Sequence, residues 1–111
     1  MPRPPRSVAD AARRGLALRR EFGRGGTAVG VARARDLANR REVSDETIDR
    51  MVSYFARHRV DKEAPGFNPG EPGYPSAGRI AWLLWGGDAG ERFALAIQGK
   101  RRKRVSQYGD S

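Results

Sequence analysis

Apolar residues recur at helical spacing along most of the chain, and the best-marked stretch lies between residues 44 and 59. Its apolar positions fall at i, i+3, i+4 and i+7, the spacing of a core-facing stripe: Ile48, Met51, Val52 and Phe55. Ser44 can cap the start of this stretch, and acidic residues at its start and basic residues at its end complement the helix dipole. The pattern therefore predicts an amphipathic helix that begins after Ser44.

Two further helices are predicted before this one. The first follows Ser7 and ends at the glycine-rich segment 23–26, and its inward positions are Val8, Ala12, Leu16 and Phe22. Thr27 can cap the second helix, which runs to about residue 40 and carries Val31, Ala34, Leu37 and Ala38 inward. A short connection at 41–43 joins the second helix to the third, as in a helix-turn-helix, where the first helix braces and the second lies in the major groove.

The second half of the chain begins with a loop at 62–75 that is rich in proline and glycine. We expect Phe67 and Tyr74 to hold this loop against the core. Ser76 can cap a short apolar helix whose tryptophans, Trp82 and Trp85, close the core as an aromatic anchor. After Gly86-Gly87, Asp88 and Glu91 form a capping-box pattern for a final helix, which carries Phe93, Ala96 and Ile97 and stops at Gly99.

These patterns predict an all-α fold of about five helices, with a helix-turn-helix-like pair and a Pro/Gly-rich loop. Three regions follow from the composition. Residues 1–6 are a flexible basic arm, 7–99 a single helical domain, and 100–111 a basic C-terminal tail.

The charge of the chain points to an acidic partner. There are 22 Lys and Arg against 13 Asp and Glu, for a net charge of +9. Residues 1–60 hold 14 arginines and 7 acidic residues, whereas 61–99 hold 3 basic and 5 acidic residues. Arginine is the residue whose planar fork matches phosphate oxygens and the edge of guanine. The first half and the last few residues therefore predict a nucleic-acid partner, most simply double-stranded DNA.

A row of polar residues on the third helix is the candidate for reading the DNA groove. It lies away from the apolar stripe and comprises Thr47, Arg50, Tyr54 and Arg57. The candidates for phosphate contacts are Arg33, Arg40, Arg41, Arg59, Lys100, Arg101, Arg102, Lys103 and Arg104. The alternative interpretation of the row is an ordinary solvated face, and that of the tail is a solubilising segment.

No residue pattern predicts an enzyme. His58 has no patterned nucleophile or carboxylate beside it, and the loop carboxylates lie where an acid/base pair would not be held in register. Gly86-Gly87 precedes a helix, but the lysine of a phosphate-binding loop is missing. The chain has no cysteine and one histidine, which excludes disulfides and cysteine-based zinc sites. We expect no catalytic residue, no cofactor and no metal.

Two strings of the sequence carry a resemblance to a known module. RM-x-SYFARH, followed by GRIAWLLWGGDAG, is similar to a short module of tailed bacteriophages and prophages, found as small stand-alone proteins or beside head-morphogenesis regions of longer ones. The similarity covers about residues 27–98. It implies a viral context and supplies no catalytic residues.

The sequence as a whole therefore favours a phage-type DNA-binding protein in the host cytoplasm or the virion. The alternative is a structural or head-assembly component, or an adaptor that docks on a host or virion protein through the Trp82/Trp85 region. A membrane partner is not expected, because the longest apolar run, at 80–85, is too short to span a bilayer.

Overall fold

The computed structural model describes the backbone of residues 1–109 and the side chains of 1–104. Within these residues there are five α-helices and no strand, so the all-α prediction is confirmed. The helices are α1 (Arg6–Phe22), α2 (Ala28–Ala38), α3 (Asp45–His58), α4 (Ala77–Leu84) and α5 (Gly87–Gly109), with a 3-10 helix at Arg59–Glu63 after α3. Within the described backbone, no helix is both long and apolar enough to cross a bilayer.

Three of the predicted helix caps are confirmed. Thr27 Oγ1 accepts a hydrogen bond from the backbone N–H of Gly30, and the Ser44 and Ser76 hydroxyls accept equivalent bonds at the starts of α3 and α4. At the other end of α1, Gly23 adopts the left-handed conformation (φ 65°) and its N–H returns to the carbonyl of Arg19.

The core forms where α4 lies among the other helices. Trp82 is fully buried at its centre, in edge-to-face contact with Phe55 (4.8 Å between ring centroids) and Phe67 (6.1 Å). The burial of Phe67 confirms that the 62–75 loop packs against the core. Gly15 lets α1 approach the backbone of α4, because a Cβ at this position would lie 2.7 Å from the amide nitrogen of Leu84.

The predicted helix-turn-helix-like pairing of α2 with α3 is not formed. Among the described residues, α2 packs on α1 and α4, while α3 packs mainly on α5, so α2 does not brace α3 directly. Trp85, at the end of α4, separates them: Tyr54 of α3 stacks on its ring and the Arg33 guanidinium of α2 lies over it. The α2–α3 connection is bonded to the N-terminal segment, because the buried Val43 donates its N–H to the Pro2 carbonyl (2.8 Å).

Both ends of the predicted domain are more ordered than the composition indicates. In the segment predicted as a flexible arm, Pro4 is fully buried and its carbonyl accepts a hydrogen bond from Arg40 Nε (2.9 Å). A proline-rich segment has few N–H donors, but its carbonyls still accept hydrogen bonds. At the other end, Gly99 does not stop α5, which continues through the basic run, so 100–104 form a helix rather than a loose tail.

Three side chains depart from their predicted positions. Phe22 is 39% exposed and Ala96 is exposed, although both were predicted to face the core. Asp88 lies inside α5, and its carboxylate accepts a hydrogen bond from Trp82 Nε1 (2.9 Å). This carboxylate therefore satisfies the buried indole N–H, which would otherwise lack a partner in the core.

Candidate functional site

The N-terminal segment, the α2–α3 connection and the C-terminal part of α5 meet at one end of the molecule. Arg3 lies 3.8 Å from the Glu42 carboxylate, and Arg101 Nη1 lies 3.4 Å from that of Asp45. Since Val43 is also bonded to Pro2, these contacts bring the three segments together. We call the cations collected here the basic pole: Arg3, Arg40, Arg41, Lys100, Arg101, Arg102, Lys103 and Arg104.

The basic pole keeps an excess of positive charge after local pairing. Its eight cations face four nearby carboxylates, those of Asp36, Glu42, Asp45 and Asp49. Four of the cations are exposed on α5 and have no carboxylate within 4 Å among the described residues: Lys100, Arg102, Lys103 and Arg104. With eight cations against four carboxylates, the basic pole carries four of the nine net positive charges of the chain.

Arg101 is the member of the basic run that bonds to residues of α3. Its guanidinium pairs with the Asp49 carboxylate and also donates to the backbone carbonyl of Asp45 (3.3 Å). The hydrogen bond from Arg101 holds the pKa of Asp49 below its ordinary value of 3.8, and the same bond raises the pKa of Arg101. Arg101 thereby ties α5 to the first turns of α3 and fixes the direction of the exposed basic residues.

This pair leads to a prediction about acid stability. A carboxylate whose folded-state pKa is lowered stabilises the fold above its unfolded-state pKa, and the stabilisation is lost as pH falls through the folded value. We therefore expect Asp49→Asn to destabilise the protein at pH 7 more than at pH 3, as measured by urea unfolding at both values. The difference should vanish in an Arg101→Gln background. An equal effect at both pH values would show that Asp49 acts only through packing.

The row predicted to read a DNA groove is not a row of exposed donors. Tyr54 is buried, with 6% exposure, and stacks on Trp85 at 4.7 Å with an interplanar angle of 9°. Thr47 is half-buried and bonded to the Ser44 hydroxyl, and Arg50 pairs with Glu46 (2.7 Å). Arg57 is exposed.

Tyr54 turns inward because it borders the apolar stripe and the Trp85 ring covers it. A tyrosine adjacent to a core phenylalanine is a sequence signal for this burial, since aromatic rings next to a stripe extend the buried face.

The predicted phosphate-contacting arginines fall in different places. Arg40 and Arg41 belong to the basic pole. Arg33 is inward-facing, with 15% side-chain exposure, and its Nε has no hydrogen-bond partner among the described residues. Arg59 lies towards the opposite end of α3, where it pairs with Glu91 near the start of α5. The structure thus brings Arg40, Arg41 and the 100–104 run together. Arg33 lies beside them, because it shares the Asp36 carboxylate with Arg41 (3.9 and 3.6 Å), whereas Arg59 is apart from them.

Sequence reasoning missed a groove of about 740 Å³ between the start of α2, the exposed face of α3 and the outer face of α4. Small residues of α4, Ala77, Gly78 and Ala81, form its floor together with Trp85. Val29 stands on the α2 side, and the α3 side carries Glu46, Asp49, Arg50, Ser53 and Arg57. The small residues at 77, 78 and 81 are the sequence signal for a depression along α4. We call this feature the aromatic groove.

A column of stacked planar groups runs along the aromatic groove. Tyr54 lies between Trp85 and the ring of His58, whose centroid is 4.5 Å away. His58 Nδ1 is in turn 3.2 Å from the Asp61 carboxylate, which fixes the orientation of the imidazole. The Tyr54 hydroxyl is buried and has no hydrogen-bond partner among the described residues, and burial raises the pKa of this group. This hydroxyl lies beneath the surface of the groove and is not exposed to it.

Comparisons with known proteins give no relative: no family model, no curated protein and no solved structure matches the chain. Within the described residues there is also no group of three or more His, Cys, Asp or Glu side chains that could hold a metal ion. The basic pole and the aromatic groove are therefore the two candidate binding surfaces of the described residues.

Proposed function

We propose that the protein binds duplex DNA through phosphate contacts made by its basic pole. The observation that carries the proposal is the convergence of three basic segments at one end, with four exposed cations in a five-residue stretch of α5 that have no carboxylate partner among the described residues. Such a surface binds nucleic acid by releasing condensed counterions, and this free energy does not depend on base sequence.

The proposed contact differs from the one expected from sequence. The first turns of α3 carry three acidic residues, Asp45, Glu46 and Asp49, which would repel a phosphate backbone approaching that end of the helix. The basic end of α5 lies alongside and extends past the start of α3, because Arg101 reaches Asp45. We therefore assign the main phosphate contacts to α5, with Arg40 and Arg41 beside it, and we assign no base reading to α3.

The biological setting belongs to the same proposal. The resemblance of residues 27–98 to a phage and prophage module supports a viral protein that acts in the host cytoplasm or the virion. A DNA-binding role fits both places, since viral DNA is present in each.

A test compares two double variants with the same net charge. Lys100→Gln/Lys103→Gln removes two charges from the basic pole, and Arg57→Gln/Arg92→Gln removes two exposed charges elsewhere. Glutamine preserves helix propensity, so both variants should fold. We expect the first pair to weaken duplex binding and to make the slope of log K against log salt shallower by up to about 1.8, at about 0.9 per phosphate contact. The second pair should bind like the parent.

Measurements of affinity at several salt concentrations, by gel shift or fluorescence anisotropy, decide the outcome. If both pairs lost affinity equally, binding would follow net charge and not the basic pole. If only Arg57→Gln/Arg92→Gln lost affinity for the duplex, α3 and not the basic pole would be the DNA-contacting element.

A second candidate function is docking on a viral or host protein. The observation that favours it is the partly exposed Trp85 in the aromatic groove, since an apolar depression with a polar rim is typical of protein-binding surfaces.

A further inference from the structure

We propose that the outer face of α1 continues the DNA-binding surface of the basic pole, so that one duplex lies along this helix. We call this surface the arginine face. Its cations are Arg6, Arg13, Arg14 and Arg20 of α1 and Arg35 of α2. The inference rests on the proposed DNA-binding function and deepens it, because it assigns the path of the duplex over the protein.

The arginine face is positive and open to solvent. All five arginines are exposed, and the acidic residues of α1 are Asp10 and Glu21. Among the described residues, only Arg13 of the five has a carboxylate within 4 Å, that of Asp10. The face therefore keeps an excess of positive charge that is separate from the excess at the basic pole. Such a surface attracts the phosphate backbone of a duplex.

The spacing of the arginines places them in a row along α1. Arg6, Arg13 and Arg20 are seven residues apart, which is about two helical turns and a step of about 10.5 Å. Ala17 is exposed in the same row, one turn from Arg13 and from Arg20. Because Ala17 has only a methyl side chain, it leaves room for a DNA backbone to approach the helix between the two guanidinium groups.

Arg35 brings α2 into the same surface. α1 and α2 pack side by side, and Arg13 Nη2 donates to the Ala38 carbonyl (2.7 Å). Arg35 lies one helical turn before Ala38 in α2, so it is close to the α1 row. Its exposed side chain adds a cation beside that row.

The arginine face begins at the basic pole. The Ala38 carbonyl that holds Arg13 lies two residues before Arg40, a member of the pole. Arg40 Nε in turn donates to the Pro4 carbonyl (2.9 Å), two residues before the start of α1 at Arg6. The two surfaces therefore meet at the start of α1, and a single duplex can contact both.

Positive charge also continues at the far end of α1. Arg19 Nε donates to the Gly25 carbonyl (3.0 Å), and Arg24 donates to the Pro75 carbonyl through Nε and Nη2 (3.2 and 2.9 Å). A carbonyl acceptor carries no net charge, so it orients a guanidinium without neutralising it. These two arginines add to the attraction for phosphate at the end of the row.

The length of the row sets the number of base pairs that it covers. From Arg6 to Arg20 the helix rises about 21 Å at 1.5 Å per residue. B-DNA rises about 3.4 Å per base pair, so the arginine face covers about six base pairs beyond those held by the basic pole.

The first test removes two charges from the ends of the row. Arg6→Gln/Arg20→Gln is compared with Arg57→Gln/Arg92→Gln, which has the same net charge, and circular dichroism checks that both fold. At about 0.1 M salt, each lost phosphate contact should weaken duplex binding about eightfold, and the slope of log K against log salt should become shallower by up to about 1.8 for the pair. The control should bind like the parent.

A second test adds one negative charge at each of two exposed helical alanines. Ala17→Glu places it within the arginine row, whereas Ala56→Glu places it on α3. Fluorescence anisotropy with hairpin stems of about 8 and about 16 base pairs measures the affinities, corrected for the number of overlapping sites. We expect Ala17→Glu to weaken binding to the longer stem about eightfold, as for one lost contact. Ala56→Glu should bind like the parent.

The same stems test the path of the duplex. The parent should gain affinity from the shorter to the longer stem, because only the longer one reaches along α1 from the basic pole. Arg6→Gln/Arg20→Gln should gain less. Sedimentation at saturation should show one stem per protein.

Three results would overturn the inference: Arg6→Gln/Arg20→Gln binding like its control, equal losses in Ala17→Glu and Ala56→Glu, or two stems bound to one protein, which would make the arginine face a separate site. Lys100→Gln/Lys103→Gln should still weaken binding in each of these cases if the basic pole holds DNA. If instead only the α1 variants lost affinity, the basic pole proposal would be wrong. A parent protein that bound no duplex would contradict both.

Discussion

Replacing Trp82 by alanine is expected to lower the free energy of unfolding by about 3–5 kcal/mol, because it removes a fully buried indole and leaves a cavity at the centre of the core. The change also removes the donor that bonds the Asp88 carboxylate and the ring against which Phe55 and Phe67 pack edge-on. A domain of this size typically has only about 5–15 kcal/mol of stability, so the variant should be close to unfolding at 25 °C.

The matched control is Trp85→Ala, three residues later on the same chain. Trp85 is only partly buried and lines the aromatic groove, so its removal should cost less than that of the fully buried Trp82. Urea unfolding followed by circular dichroism measures both variants. If the two substitutions cost the same, Trp85 would be a core residue and the aromatic groove would be closed in solution.

The contrast between the two tryptophans shows what local sequence does and does not determine. Their spacing and apolar neighbours correctly predict a helix and a common aromatic cluster. They do not predict which ring is enclosed, because that depends on Tyr54, Phe55 and Phe67, which come from α3 and the 62–75 loop. The N-terminal caps at Thr27, Ser44 and Ser76, by contrast, were predictable because each is formed within four residues of chain, whereas the predicted cap at Asp88 and stop at Gly99 were wrong.

The candidate sites divide in the same way. A cluster of positive charge could be predicted from composition, but its assembly from three segments required the Pro2–Val43 and Arg101–Asp45 contacts, which join residues far apart in sequence. The aromatic groove was harder still to predict from the sequence. It exists because Trp85 separates α2 from α3, and no periodicity within one helix reports a space between helices.

Helical glycines give the largest expected contrast between sequence propensity and structure. Gly15 lies in α1 and Gly99 in α5, and alanine is about 1 kcal/mol better than glycine within a helix. From propensity alone, both substitutions should stabilise the protein equally. The structure predicts opposite signs, because a Cβ at Gly15 would lie 2.7 Å from a backbone nitrogen of α4, whereas one at Gly99 meets nothing within 4 Å.

We therefore expect Gly15→Ala to destabilise the protein by about 1–3 kcal/mol, since α1 must move away from α4 to admit the methyl group. Gly99→Ala should stabilise it by up to about 1 kcal/mol. Chemical denaturation of the two variants beside the parent is sufficient, and the slope of each transition should stay unchanged. Stabilisation by Gly15→Ala would mean that α1 and α4 are farther apart than described. A loss of stability in Gly99→Ala would mean that α5 does not continue through this position, in which case the exposed cations of 100–104 would not be held against α3 by Arg101.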